Sequence, residues 1–187
     1  MPENIRPDGF SLLLVVTGPP ASGKTSLARA LARELRLPWI GKDALKEVLY
    51  DVLGSAEELE PRLEEAARRL LLTVAQAQLA SGLSAIVESN FDRDSDLGPL
   101  ERLWHEYDVR VVQIHCGGDE ATLLARFAER AASGRRHPGH HDEPADAEEV
   151  RRDLERGRWD PLDLPGELIE VDLGGDVDVR ALAERVK

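Results

Sequence analysis

The sequence predicts an α/β protein in which helices cover a parallel sheet. Three observations indicate this class. Short apolar runs alternate with segments of helical period along the chain, and that order gives parallel strands joined by right-handed crossovers. The run at 12–16 is apolar throughout, as expected for a strand buried on both faces. A glycine-rich turn then joins this run to a helical segment that extends to residue 35.

The glycine-rich turn at 18–25 reads Gly-Pro-Pro-Ala-Ser-Gly-Lys-Thr and matches Gly-x-x-x-x-Gly-Lys-Ser/Thr without a mismatch. In this pattern, the P-loop, backbone N–H groups turn inward and form an anion site at a helix N-terminus. Lys24 can reach the β- and γ-phosphates of a nucleotide, and the Thr25 hydroxyl can bind Mg²⁺. The sequence therefore predicts binding of a nucleoside triphosphate. The predicted phosphate-binding residues are Gly18, Ala21, Ser22, Gly23, Lys24, Thr25 and Ser26.

The segment after the first helix predicts a short strand at 37–40 and a second helix that ends near residue 51. We predict that Asp43 is the N-cap of this helix. A long amphipathic helix is predicted at 57–81, with its charged side chains facing solvent. The apolar positions that indicate it are Leu59, Leu63, Ala66, Leu70, Val74 and Ala77.

The second half of the chain continues the alternation of strands and helices. Strands are predicted at 84–88, 109–116 and 168–173, and helices at 96–107, 120–132, 147–156 and 177–186. Glu88, Asn90 and Arg93 follow the third strand, at the sheet edge where open α/β sheets bind ligands. These three side chains are candidate substrate contacts.

The composition limits the classes of partner. Lys and Arg total 24 against 36 Asp and Glu, so the net charge is −12. This charge disfavours non-specific binding to nucleic acid, although a local basic groove is compatible with it. The single cysteine, Cys116, excludes an internal disulfide and is interpreted as a small core residue. Residues 1–11 do not read as a signal peptide, and no run approaches the roughly 18 apolar residues of a membrane span. We expect a cytoplasmic protein without a membrane partner.

The segment at 133–143, Ser-Gly-Arg-Arg-His-Pro-Gly-His-His-Asp-Glu, is polar and breaks the helical period at its glycines and proline. His137, His140 and His141 with Asp142 give only a weak metal pattern, because no further ligand spacing supports it and a flexible loop is a poor cage. Contacts to a ligand are the favoured interpretation of this segment.

The layout from residue 11 onward resembles the small P-loop kinases that include the polynucleotide kinase domain, zeta-toxin and chloramphenicol phosphotransferase-like enzymes. The chain has no Asn-Lys-x-Asp tetrad for guanine and is too short for the added subdomain of ring-forming ATPases. The resemblance implies a single three-layer α/β/α domain over 1–187, with five parallel strands in the order 2-3-1-4-5. It also implies a lid around 133–143.

The resemblance also suggests residue roles. In such kinases an Asp shortly after the second strand accepts the proton of the attacking hydroxyl, and Asp43 stands at the matching place; a helix cap alone is the alternative. Glu88 stands where many P-loop proteins have the Asp that supports magnesium, and both metal support beside Thr25 and substrate contact stay open for it. The implied lid arginines, whose guanidinium groups match phosphoryl oxygens, are Arg126, Arg130, Arg135 and Arg136. A surface position is the alternative for Arg126 and Arg130.

Together these features predict a kinase that uses ATP and Mg²⁺ to phosphorylate a hydroxyl of a small molecule. One alternative is a 5′-hydroxyl polynucleotide kinase, which the net charge disfavours; the other is a nucleotide-dependent binding or regulatory ATPase. Asp43 and the arginine-rich lid favour transfer to an acceptor. The predicted catalytic residues are Lys24, Asp43, Arg126, Arg130 and Arg135. The predicted acceptor contacts are Asp43, Glu88, Asn90 and Arg93.

Overall fold

The computed structural model describes residues 11–54, 59–140 and 146–187. The strands are β1 (Leu12–Thr17), β2 (Trp39–Gly41), β3 (Ala85–Glu88), β4 (Arg110–Gly117) and β5 (Glu167–Asp172). The helices are α1 (Lys24–Leu35), α2 (Lys42–Leu53), α3 (Glu60–Ala80), α4 (Arg93–Tyr107), α5 (Glu120–Ala132), α6 (Ala147–Glu155) and α7 (Val179–Val186). All neighbouring strands are parallel, in the order β2-β3-β1-β4-β5. The predicted fold class and strand order are confirmed.

The central strand β1 is buried along its whole length. Leu12, Leu14 and Val16 pack on one face against α1 and α7. Leu13 and Val15 pack on the opposite face, against α3 and α4. Successive side chains of a strand point to opposite faces, and here neither face meets water, so the strand is apolar at every position of its first five residues. Helices on both faces give the three layers of the fold.

The long helix α3 turns a different face to the sheet from the predicted one. Its buried positions are Leu63, Ala67, Leu71, Ala75 and Leu79, spaced four residues apart. Leu70 and Val74, predicted to be buried, are 39% and 38% exposed. The run at 70–72 is Leu-Leu-Leu, so the sequence allows either face, and packing against the sheet selects between them. None of the described helices, α3 included, is long and apolar enough to cross a membrane.

Two helices begin earlier than predicted. Because β2 passes directly into α2, the N-cap is Gly41 and Asp43 lies inside the first turn. The prediction that Asp43 is the N-cap is therefore wrong. Helix α4 begins at Arg93 rather than near residue 96, and the Asp92 side chain caps it by accepting from the N–H groups of Asp94 and Ser95.

The thiol of Cys116 provides a test of the packing on β4. Cys116 is fully buried, and burial raises its pKa to about 12. At pH 8 the native thiol is therefore protonated and shielded from solvent, and both conditions suppress its nucleophilicity.

We expect an aromatic disulfide reagent at pH 8 to label the native protein at least about a hundredfold more slowly than the chain unfolded in guanidinium chloride. The absorbance of the released thiolate gives both rates. Equal rates for the native and unfolded chains would contradict the buried position of Cys116.

Candidate active site

The phosphate loop depends on a close approach between β1 and β4. Gly18 has φ +137°, and a Cβ at this position would lie 2.1 Å from the backbone carbonyl oxygen of Cys116. Only glycine fits both the dihedral angle and the space. Gly23 with φ 90° and Ala21 with φ 61° complete the curl that brings the loop to the N-terminus of α1. The predicted strand, loop and helix are all present in the predicted order.

Lys24, the first residue of α1, has its ammonium buried inside the loop. Its Nζ donates to the carbonyl oxygen of Pro19 at 3.2 Å. Burial lowers the pKa of Lys24, and the negative charges of Glu88 and Asp43 oppose that effect. A buried cation is stabilised by a further anion beside it, so the position suits a phosphate group.

Glu88 and Thr25 form a pair of oxygen donors under the loop. The Thr25 hydroxyl donates to Glu88 Oε1 at 3.1 Å, and Glu88 is placed by the parallel pairing of β3 with β1. The second oxygen, Oε2, is buried without a hydrogen-bond partner among the described residues. Burial raises the pKa of Glu88, while Lys24 acts in the opposite direction. A carboxylate and a hydroxyl are ligands that Mg²⁺ accepts, either directly or through its water, and the unpaired oxygen fits that use.

A cavity of about 590 Å³ opens between the phosphate loop, α2, α3 and α5. Its lining includes the predicted residues Gly23, Lys24, Thr25, Ser26, Asp43, Asn90, Arg126 and Arg130. Glu88 lies beneath this surface, behind Thr25. The structure therefore brings most of the predicted site residues into one space.

Arg135 and Arg93 lie outside this cavity. Arg135 is exposed, and it lines an adjoining hollow of about 320 Å³ that Asp43 and Arg136 also line. The Arg93 guanidinium, outside the cavity, donates to the backbone carbonyl oxygen of Pro161 at 3.3 Å. The structure thus places both Arg135 and Arg136 in hollows that Asp43 also lines, and it places Arg93 in a contact between α4 and the connector before β5.

The two arginines of α5 both face the cavity, as expected for residues four apart on one helix face. Arg126 Nη2 donates to the carbonyl oxygen of Leu173 at 3.1 Å. The Arg130 guanidinium lies 5.4 Å from the ring centroid of Phe127. Both guanidinium groups therefore have protein contacts beside the cavity that they line.

The Asp43 carboxylate lies between positive groups. Its Oδ2 accepts from Arg136 Nη2 at 3.0 Å. Burial alone would raise the pKa of Asp43, but His140, Lys42, Lys24 and Arg136 together hold it below its usual value. The carboxylate is therefore ionised at neutral pH and can accept a hydrogen bond or a proton.

Four further charged residues of the cavity were absent from the predicted site: Lys42, Lys46, Glu60 and Glu64. Lys42 pairs with Glu64, and Lys46 pairs with Glu60 and, at 3.2 Å, with Glu64. The predicted solvent-facing role of the α3 charges is thus wrong for Glu60 and Glu64, whereas Arg62 in the same turns is exposed as predicted. The sequence indicates these pairs only weakly. Two lysines four apart share a face of α2, and two glutamates four apart share a face of α3, but nothing in the sequence shows that the two faces meet.

The described part of the predicted lid, 133–140, lies against α2. Besides the Arg136–Asp43 pair, His140 Nε2 lies 3.0 Å from Glu47 and His137 Nε2 lies 3.0 Å from Asp51. The three carboxylates are four residues apart, and we call them the acidic row of α2. The remaining members of the histidine pattern, His141 and Asp142, lie outside the described residues.

A second hollow of about 440 Å³ lies on the other side of the loop and Arg126. Its lining includes Gly23, Leu27 and Ala30, together with Leu173, Val177 and Val179 from the connection between β5 and α7. This mostly apolar hollow adjoins the phosphate loop, so a planar apolar group attached to a phosphate chain fits there.

Comparisons with known proteins agree with this geometry. A family model described as "AAA domain" matches residues 13–157. No curated protein matches the chain significantly. A candidate kinase from Chloroflexus aurantiacus J-10-fl is 41% identical over 94% of this chain and 96% of its own, with a TM-score of 0.85.

Two more distant structures share the fold. Chaetomium thermophilum Kti12, solved with ADP-AlF3, is 22% identical over 93% of this chain and 96% of its own, with a TM-score of 0.64. The APS kinase of Mycobacterium tuberculosis, solved with AMPPNP and APS, is 16% identical over 95% of each chain, with a TM-score of 0.58.

The acidic row predicts how firmly 133–140 is held. Replacing Glu47 by Gln and Asp51 by Asn weakens two polar contacts, each worth about 1 kcal/mol. We expect backbone amides of 133–140 to exchange with deuterium roughly tenfold faster in the double variant, as measured by mass spectrometry.

The control is Glu184→Gln on α7, where the exposed carboxylate pairs with Lys187 far from this segment. The control should exchange like the wild type in 133–140. Unchanged exchange in the double variant would show that the row does not hold the segment.

Proposed function

The chain belongs to the AAA domain family, whose model covers most of it, and we propose that it is a kinase that uses ATP and Mg²⁺ to phosphorylate a hydroxyl of a small molecule. The observation that carries this proposal is the position of Asp43. Its ionised carboxylate shares one cavity with Lys24 and the phosphate loop, and it has no capping role in α2. A phosphate site alone is equally compatible with ATP hydrolysis or with a regulatory ATPase. An ionised carboxylate beside that site can orient an acceptor hydroxyl and take its proton, as a kinase requires.

The phosphate-binding part of the proposal rests on the loop and the arginines. The loop N–H groups and Lys24 would hold the β- and γ-phosphates. Arg126, Arg130 and Arg136 would contact the oxygens of the transferred group, over which the transition-state charge is spread. Thr25 and Glu88 would hold Mg²⁺, which when bound neutralises charge on the phosphate oxygens.

Asp43 would orient the acceptor and take its proton. The acceptor oxygen forms a bond to the γ-phosphorus while the bond from that phosphorus to ADP breaks. The hydroxyl proton passes to an oxygen of Asp43. Arg136 donates to Asp43 Oδ2, so the acceptor hydroxyl would use the remaining lone pairs of the carboxylate, with the guanidinium held beside it.

Several observations support ATP and a small acceptor. The apolar hollow beside the loop suits a base, and the nucleotides bound in two proteins of the same fold are ADP and an ATP analogue. The protein of 41% identity is itself named as a candidate kinase. The net charge of −12 disfavours a nucleic-acid acceptor, and so does a cavity lining whose one aromatic ring among the described residues is the imidazole of His140. A cytoplasmic location without a membrane partner is part of this proposal.

The test of the reaction is a screen of ATP consumption with nucleosides, sugars, antibiotics and 5′-hydroxyl oligonucleotides, followed by mass spectrometry of the product. A phosphorylated acceptor supports the kinase. An ATPase rate that no acceptor changes, with no phosphorylated product, would support a regulatory ATPase instead.

Asp43→Asn tests the proposed proton acceptor. The amide keeps the size of the side chain but cannot take a proton at neutral pH. With the acceptor from the screen, we expect the single-turnover rate of transfer to fall by about 10² to 10⁴-fold. The ATP dissociation constant should change less than about twofold, because the loop and Lys24 hold the nucleotide.

The stability of this variant separates catalysis from folding. Weakening of the partly exposed Arg136–Asp43 ion pair should cost about 1 kcal/mol, and no cap is lost. Asp163→Asn, at an exposed position, is the matched control and should transfer phosphate normally. A wild-type rate in Asp43→Asn would remove the catalytic-base assignment.

Glu88→Gln tests the proposed magnesium support. The substitution keeps the shape and leaves an oxygen to accept from Thr25, but removes the charge. We expect the Mg²⁺ concentration for half-maximal binding of a fluorescent ATP analogue to rise about 10- to 100-fold. The control is Glu167→Gln. Glu167 is the first residue of β5, at the sheet edge opposite the phosphate loop. Superimposable magnesium titrations of Glu88→Gln and the wild type would contradict the assignment.

A further inference from the structure

The α2–α3 end of the cavity holds a charged cluster that the phosphate chemistry does not use. It consists of Lys42, Lys46, Glu60 and Glu64, and we call it the acceptor wall. We propose that the acceptor wall binds a neutral polyhydroxylated molecule, of the sugar or cyclitol class, and directs one of its hydroxyls to Asp43. This inference rests on the proposed kinase function and names the substrate class of the same site.

The acceptor wall lies next to Asp43 in the same cavity, where an acceptor molecule would bind. Lys42 precedes Asp43 in the chain, and Lys46 lies one turn further along α2. Glu60 and Glu64 come from the first two turns of α3 and face the same cavity as Lys24. A molecule bound to the wall would therefore lie close to Asp43, in the cavity that the phosphate loop also lines.

The charge balance of the acceptor wall selects against a charged ligand. The two ammonium groups and the two carboxylates neutralise one another in ion pairs, and the Lys46 side chain is only 8% exposed. A charged ligand therefore meets no net opposite charge at the wall that would offset the loss of its hydration. A ligand that displaced one of the four side chains would in addition leave a partly buried charge unpaired, which is strongly unfavourable.

A hydroxyl can join these pairs without breaking them. Each ammonium has three N–H donors and each carboxylate accepts at several lone pairs, so donors and acceptors remain after the ion pairs form. A hydroxyl both donates and accepts, so two neighbouring hydroxyls can bridge a lysine and a glutamate. The alternation of the four groups thus matches a polyol better than a molecule with one polar end.

The rest of the lining agrees with a polyol. Among the described residues that line the cavity, the apolar side chains are Pro20 and Ala21, and both belong to the phosphate loop. The lining that the structure describes includes no Phe, Tyr or Trp for stacking a base, and its one imidazole, His140, is held against Glu47 of α2.

The experiment uses acceptor sets with a common carbon skeleton. Each aldose or cyclitol is compared with its carboxylate, phosphate ester and amine derivatives, and nucleosides and 5′-hydroxyl oligonucleotides are run beside them. We expect kcat/KM for the best neutral polyol to exceed that of its charged derivatives at least about tenfold, with the product identified by mass spectrometry.

Two outcomes overturn the inference in different ways. Preferred phosphorylation of a charged derivative, a nucleoside or an oligonucleotide would remove the polyol assignment and leave the kinase standing. Phosphorylation of no acceptor in any class would remove both.

Variants of the wall test the residues. Glu64→Gln should raise KM for the neutral polyol about tenfold with a much smaller change in kcat, because the Glu64 carboxylate binds the acceptor and does not take part in the transfer. Glu65→Gln is the matched control on the next position of α3, where the carboxylate pairs with Arg68 and Arg69 away from the cavity, and its KM should equal that of the wild type.

Thermal unfolding shows whether each variant is folded. Lys42→Gln, which removes one of the two lysine partners of Glu64, provides a second test if Glu64→Gln does not fold, with the same expected rise in KM. An unchanged KM in a folded variant of either residue would overturn the role of the wall.

Discussion

The buried ammonium of Lys24 is the charge on which the arrangement of the site depends. Burial makes this cation costly unless negative groups surround it, and the lowered pKa of Lys24 reflects that cost. Glu88 at the end of β3 and Asp43 at the start of α2 provide the nearest negative charges. Glu88 ends the strand next to β1, and Asp43 follows β2, the strand beyond it, so the strand order brings both carboxylates toward the buried cation.

The carboxyl edge of the sheet explains why these groups meet. The order β2-β3-β1 brings the ends of three strands together at one edge. β1 delivers the phosphate loop, β3 delivers Glu88, and β2 delivers Asp43 because it passes into α2 without a loop. Ligands of open parallel sheets bind outside this edge, and the cavity lies there.

Helix α2 connects three parts of the site. Asp43, Glu47 and Asp51 form a row that contacts the 133–140 segment, and Lys42 and Lys46 form a neighbouring row that contacts α3. Residues four apart lie on one face of a helix, so two adjacent rows can serve two different partners. A displacement of α2 would therefore move Asp43 relative to the phosphate loop, and it would also change the contacts with the 133–140 segment and with α3.

The sequence by itself determined the order of elements, the buried central strand and the phosphate loop. Each is encoded by neighbouring residues: an unbroken apolar run, helical period, and a glycine at a position where a Cβ would meet the carbonyl of Cys116. Strand order came from the resemblance to known kinases, since spacing along the chain does not fix it.

The tertiary structure alone decided which side chains face the cavity. It turned Asp43 from a predicted cap into a partner of Arg136, 93 residues away. It placed Arg136 in the main cavity and Arg135 in the hollow beside it, and it directed Arg93 to the carbonyl of Pro161, 68 residues away. These contacts join distant parts of the chain, and a shift of one residue on a helix or loop changes which side chain points inward. Local sequence patterns record the period of an element, but its rotation against its neighbours is set by packing.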